Sequence, residues 1–82
     1  MQEREVHNMK LKELPKVFNI DEIKVFCDSR LRAEVMIDNV FTQEVFQGNS
    51  LVEPYLNNEI VDMSVSCPNY LGSYRVLEIT LK

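Results

Sequence analysis

The run Glu59-Ile60-Val61-Asp62-Met63-Ser64-Val65-Ser66-Cys67, followed after a loop by Val76-Leu77-Glu78-Ile79-Thr80-Leu81-Lys82, decides how the chain folds. Val61, Met63, Val65 and Cys67 alternate with Asp62, Ser64 and Ser66, as in a strand with one buried face. Leu77, Ile79 and Leu81 alternate in the same way with Glu78, Thr80 and Lys82. Two such strands joined by Pro68–Ser73 predict a C-terminal β-hairpin. An isolated hairpin is marginal in water, so the preceding residues must cover its apolar face.

Working back from the hairpin, three further strands are expected. Ile23, Val25 and Cys27 alternate with Lys24 and Phe26, and Asp28-Ser29-Arg30 has turn composition. Ala33, Val35 and Ile37 then alternate with Glu34, Met36 and Asp38. Asp38-Asn39 between apolar runs predicts a second tight turn, because either residue accepts positive φ, leading into Val40–Phe46 as an edge strand or an extended arm packing on both sides. Gln47-Gly48-Asn49-Ser50 reads as a turn, and 51–58 as an irregular crossing or a single helical turn.

Towards the start, Leu11, Leu14 and Phe18 recur at helical spacing, and Pro15 is compatible with a first helical turn. A short helix over Lys12–Phe18 is expected. The rival is a strand in which Met9 and Leu11 alternate with Asn8, Lys10 and Lys12. Residues 1–8, rich in charged and amide side chains, are expected to be a flexible tail, and 9–82 a single domain. The expected fold class is thus α+β: a short N-terminal helix packed on a mainly antiparallel four- to five-stranded sheet ending in a C-terminal β-hairpin.

Composition narrows the function classes. At 82 residues, 45% apolar and 27% charged, the chain suits one small domain with a thin core. A net charge of −4 with dispersed Lys and Arg argues against nucleic-acid binding. No apolar run approaches the length of a membrane span, and the first residues lack signal-peptide form, so a cytoplasmic location is expected. Cys27 and Cys67 lack metal-site spacing, and both end apolar strand patterns. They are expected to be buried free thiols.

Lys10-Leu11-Lys12-Glu13-Leu14, Ile23-Lys24-Val25-Phe26, Tyr55-Leu56 leading to Glu59-Ile60-Val61, and Val76-Leu77-Glu78-Ile79 together form a pattern. Over about residues 9–82 it resembles the small uncharacterised proteins encoded in phages and mobile elements of Gram-positive bacteria. The resemblance implies no activity and carries over no functional residue. The loop Pro68–Ser73 is longer than that pattern needs.

No residue is nominated as catalytic, cofactor-binding or metal-binding. His7 lies in the expected tail, Ser64 and Ser66 read as polar-face residues, and only Gly48 and Gly72 are available for a phosphate loop. Asp62 and Glu78 are expected on one exposed face, among mixed charges. Tyr70, Leu71 and Tyr74 stand out, because a surface loop carries them and tyrosine is enriched at interface hot spots. They are the expected partner-binding residues. The function expected is therefore a non-enzymatic protein-binding module without cofactor. Self-pairing of the edge strand through Phe41, Val45 and Phe46 would make it a homodimer. The alternative is an inhibitor of a host defence or nucleic-acid enzyme acting through an acidic surface.

Overall fold

The computed structural model describes residues 9–68 and 73–82. The tail expected over 1–8, with its His7, and the expected partner-binding residues Tyr70 and Leu71 lie outside the described residues.

Four strands, β1 (Val17–Cys27), β2 (Arg30–Phe41), β3 (Ile60–Ser66) and β4 (Val76–Leu81), form one sheet in the order β2-β1-β4-β3. β1 pairs antiparallel with β2, and β3 antiparallel with β4. The central pair, β1 and β4, is parallel, with Glu22 opposite Val76 and Cys27 opposite Leu81. The sheet is therefore mixed rather than mainly antiparallel.

The expected N-terminal helix is not formed. Leu11–Glu13 make a single 3-10 turn, and the chain is extended again at Leu14, with ψ 126°. Pro15 is the cause, since its ring disfavours helical geometry in the residue before it. One such turn is enough to bury both Leu11 and Leu14. Phe18, the third residue of the helical spacing, belongs instead to β1 and is exposed. With 3-10 turns as the only helical elements among the described residues, the α+β assignment is replaced by a mixed four-stranded sheet.

The β1–β2 turn follows from its residues. Cys27 pairs with Arg30, and between them Asp28 (φ 57°) and Ser29 (φ 63°) are both left-handed. Two positive φ values give the turn the twist its strands need. The second turn expected at Asp38-Asn39 does not occur. Asn39 does take positive φ (72°), but it sits opposite Ile20 as an irregularity inside β2, which runs on to Phe41. Asn19 (φ 60°) makes the matching irregularity in β1.

The expected edge strand Val40–Phe46 is likewise split. Phe41 ends β2, a 3-10 turn follows at Gln43–Val45, and Phe41 and Phe46 bury completely with ring centroids 4.7 Å apart. These rings, which motivated the expected dimer edge, thus belong to the core.

One face of the sheet carries Ile20, Ile23, Val25, Cys27, Ala33, Val35, Ile37, Leu77, Ile79 and Leu81. The segments 9–16 and 42–59 cover it with Leu11, Leu14, Phe46 and Val52. Main-chain bonds tie these covering segments together: the Leu11 N–H donates to the Asn58 carbonyl at 3.0 Å and the Lys12 N–H to that of Leu56 at 3.0 Å. The Gln43 side-chain amide donates to the carbonyls of Leu11 and Leu14, at 3.1 and 3.0 Å. The Leu11 carbonyl thus takes a second donor beside the Leu14 N–H, at 3.2 Å, and the Leu14 carbonyl gains a partner at the end of the turn.

The thiols differ from expectation in one respect. Cys27 is buried, but Cys67 is exposed, because β3 ends at Ser66 and Cys67 lies beyond the pairing with β4. Both are free thiols.

A candidate docking face on the uncovered side of the sheet

Strand alternation puts the remaining side chains on the opposite face, which no described segment covers. Register aligns them in rows: Met36, Glu22, Val76 and Ser66 in one; Glu34, Lys24, Glu78 and Ser64 in the next; Phe26, Thr80 and Asp62 beyond. Val17 and Phe41 point to the core, so their neighbours Phe18 and Val40 join the open face.

Tyr74, the one expected partner-binding residue among those described, is built into this face. It stands just before β4, and its hydroxyl donates to Glu22 Oε1 on β1 at 2.9 Å and lies 3.7 Å from Met36 Sδ on β2. Its side chain therefore reaches across the central strand. The hydrogen bond to Glu22 holds the phenol above its ordinary value of 10.0, with desolvation and the negative charge of Glu22, Asp21 and Glu34 adding to the effect. The bond is made to the neutral phenol, which fixes the ring's position.

Tyr74 is anchored from behind. The Asp21 and Glu22 N–H groups both donate to the Arg75 carbonyl, at 2.9 and 3.2 Å, and the Arg75 N–H donates to Asp21 Oδ2 at 2.9 Å. The chain thus enters β4 clamped to β1. Beside the clamp, Asn19, Asp21, Asn39, Ser73 and Arg75 line a polar cleft of about 250 Å³. The left-handed asparagines open it by interrupting the β1–β2 ladder. Its amides, hydroxyl, carboxylate and guanidinium can exchange hydrogen bonds with a polar group.

Large apolar side chains stay exposed here, Met36 at 68% and Phe18 at 64%, with half-buried Val40, Phe26 and Tyr74 around them. Val76, only 2% exposed, is the one fully buried side chain of the face. Carboxylates surround the patch: Glu22, Glu34, Asp38, Asp62 and Glu78. Two nearby basic residues pair with carboxylates, Lys24 with Glu34 at 3.9 Å and Arg32 with Asp28 at 3.6 Å, and Lys16 Nζ lies 6.0 Å from the centroid of the Phe18 ring. Asp62 and Glu78 do share the face, but they oppose Thr80 and Ser64 rather than each other. Among the described residues, no group of three or more His, Cys, Asp and Glu could hold a metal ion, and no helix is long and apolar enough to cross a membrane.

Sequence reasoning missed Met36 and Phe18 as surface residues. For Met36 the signal was present: it occupies the polar parity of its strand, between Glu34 and Asp38, where an apolar side chain must face outward. No family model, curated protein or solved structure matches the chain.

Proposed function

We propose that the chain is a non-enzymatic protein-binding module whose open sheet face docks a partner protein. The observation that carries this is Met36, 68% exposed with its Sδ against the hydroxyl of a Tyr74 ring that is fixed at both ends. Tyrosine and methionine are enriched at interface cores, and a ring already held loses little entropy on binding. The carboxylates around the patch select a partner with a basic rim. Two unpaired thiols suit a reducing compartment, in line with a cytoplasmic role.

The excess of carboxylates also favours a second reading, an inhibitor that presents this acidic face to the basic groove of a defence or nucleic-acid enzyme. Mutation and salt separate the two. Extract from the source cells is passed over immobilised wild type and Met36→Asp, and washed in about 0.5 M salt, where the Debye length is roughly 4 Å. Docking through the apolar patch predicts a protein retained by wild type, lost on Met36→Asp and stable to the wash. Retention that is lost in salt but indifferent to Met36→Asp supports the inhibitor. Equal, salt-stable retention by both proteins refutes the open face as the binding surface.

A further inference from the structure

We propose that two copies of this chain join through the free edge of β3, antiparallel about a two-fold axis at Ser64, so that one sheet continues into the next. The two outer strands of the sheet differ in how they are protected. β2 carries Arg30, Arg32, Glu34 and Asp38 and is kinked at Asn39, features that discourage edge pairing. β3 carries one charge, Asp62, and no Lys, Arg or Pro, and its Val61 and Val65 are 50% and 57% exposed.

The start of the β3 edge already accepts a strand. Lys10 bridges Glu59, and the Ile60 N–H donates to the Met9 carbonyl at 2.7 Å. From Val61 on, no described residue pairs with this edge. The Lys82 N–H donates to the Glu59 carbonyl, so Lys82, Thr80 and Glu78 direct their main-chain groups towards β3. Their opposites, Asp62 and Ser64, spend theirs on β4, so beyond the irregularity between Ile60 and Asp62 it is Met63 and Val65 that point theirs outward.

The free stretch, from Val61 to Cys67 before Pro68, has Ser64 at its midpoint. Antiparallel pairing about Ser64 sets Met63 against the second copy's Val65, Asp62 against its Ser66, and Val61 against its Cys67. Each outward main-chain group then meets another, and the exposed valines face apolar or thiol partners. The single charge meets a hydroxyl instead of its own copy. A register centred on Met63 would drive Ser66 of the second copy into the place Met9 holds, which selects Ser64.

The full chain at high micromolar concentration should sediment at twice its 9.6 kDa mass. Ser64→Lys places like charges together across the axis and should weaken the dimer at least about tenfold. It leaves the fold intact, because Ser64 opposes Glu78 within the molecule. Ser64→Cys, made together with Cys67→Ser, should cross-link two chains under mild oxidation with oxidised glutathione, since opposed residues of this kind have Cα atoms about 4.5 Å apart. Asp62→Cys in the same background should not, its copies being separated by about four residues along the strand, roughly 13 Å. A monomeric wild type, as when another segment or partner occupies the edge, overturns the proposal. So does a Ser64→Lys protein that stays dimeric, or equal cross-linking at both cysteine positions.

Discussion

Phe46 is the side chain by which the irregular segment 42–59 grips the sheet, and truncating it tests whether that segment is part of the core. The ring is fully buried, tilted 54° to Phe41 at 4.7 Å, and belongs to the cluster that includes Leu11 and Val52. Phe46→Ala removes the ring's transfer energy and leaves a cavity, together about 3–5 kcal/mol. A domain of this size has about 4–12 kcal/mol of stability in total. The variant should thus lose a quarter or more of it, and its Tm should fall by roughly 12–40 °C. Urea unfolding followed by circular dichroism gives the value directly. The ring pair adds a second criterion: combined with Phe41→Ala, the double variant should be less damaged than the sum of the singles, with a coupling of about 0.5–1.5 kcal/mol. A loss below about 1 kcal/mol, or strict additivity of the two substitutions, would show that segment 42–59 rides on the surface instead of closing the core.

Two further outcomes follow from the same structure. Of the two thiols, exposed Cys67 should react at once with a chromogenic disulfide and buried Cys27 only after denaturant, so native protein should show one fast equivalent; two fast equivalents would place Cys27 outside the core. Because the Tyr74 phenol is held above 10.0 in the folded protein, its hydrogen bond to Glu22 contributes stability that is complete below pH 10.0 and lost as pH rises through the folded value. An ultraviolet pH titration should find Tyr74 ionising late, and Glu22→Gln should bring it earlier; an unchanged curve would break the link.

Much of the sheet was legible in the sequence because strand alternation is local. The inward parities of 23–27, 33–37 and 77–81 are those found in the core, whereas the face expected from Val61, Met63, Val65 and Cys67 is not buried: Val61 and Val65 are 50% and 57% exposed on the outer strand, and Ile60 is the buried residue of β3. What was not legible depends on distance along the chain. Nothing in Val76–Leu81 announces that it pairs with β1 in parallel, since an apolar strand next to a hairpin partner looks the same whatever lies on its other edge. Asn39 carried its conformational preference openly, yet positive φ serves a bulge as well as a turn, and only the partner strand decides between them. Leu11 and Leu14 have a spacing that one 3-10 turn satisfies as fully as a helix does. At the candidate site, Tyr74 was visible by type, but the Glu22 acceptor that holds it arrives from a residue 52 positions away.

β4 is the last strand in the chain, yet it occupies the middle of the sheet. Its clamp to β1 joins Asp21 to Arg75 across a separation of 54 residues, and closing such a loop costs about 3.5 kcal/mol in chain entropy before any contact repays it. The β1–β2 hairpin, closed by its own two-residue turn, can form early, but its apolar inner face then waits for strands made much later. Folding is thus set to be slow for so small a protein and to finish in one late step, the insertion of β4 between β1 and β3. A chain halted before Val76 would leave β1 and β3 each with an unsatisfied edge and the core without Leu77, Ile79 and Leu81, and aggregation rather than partial folding would be its fate.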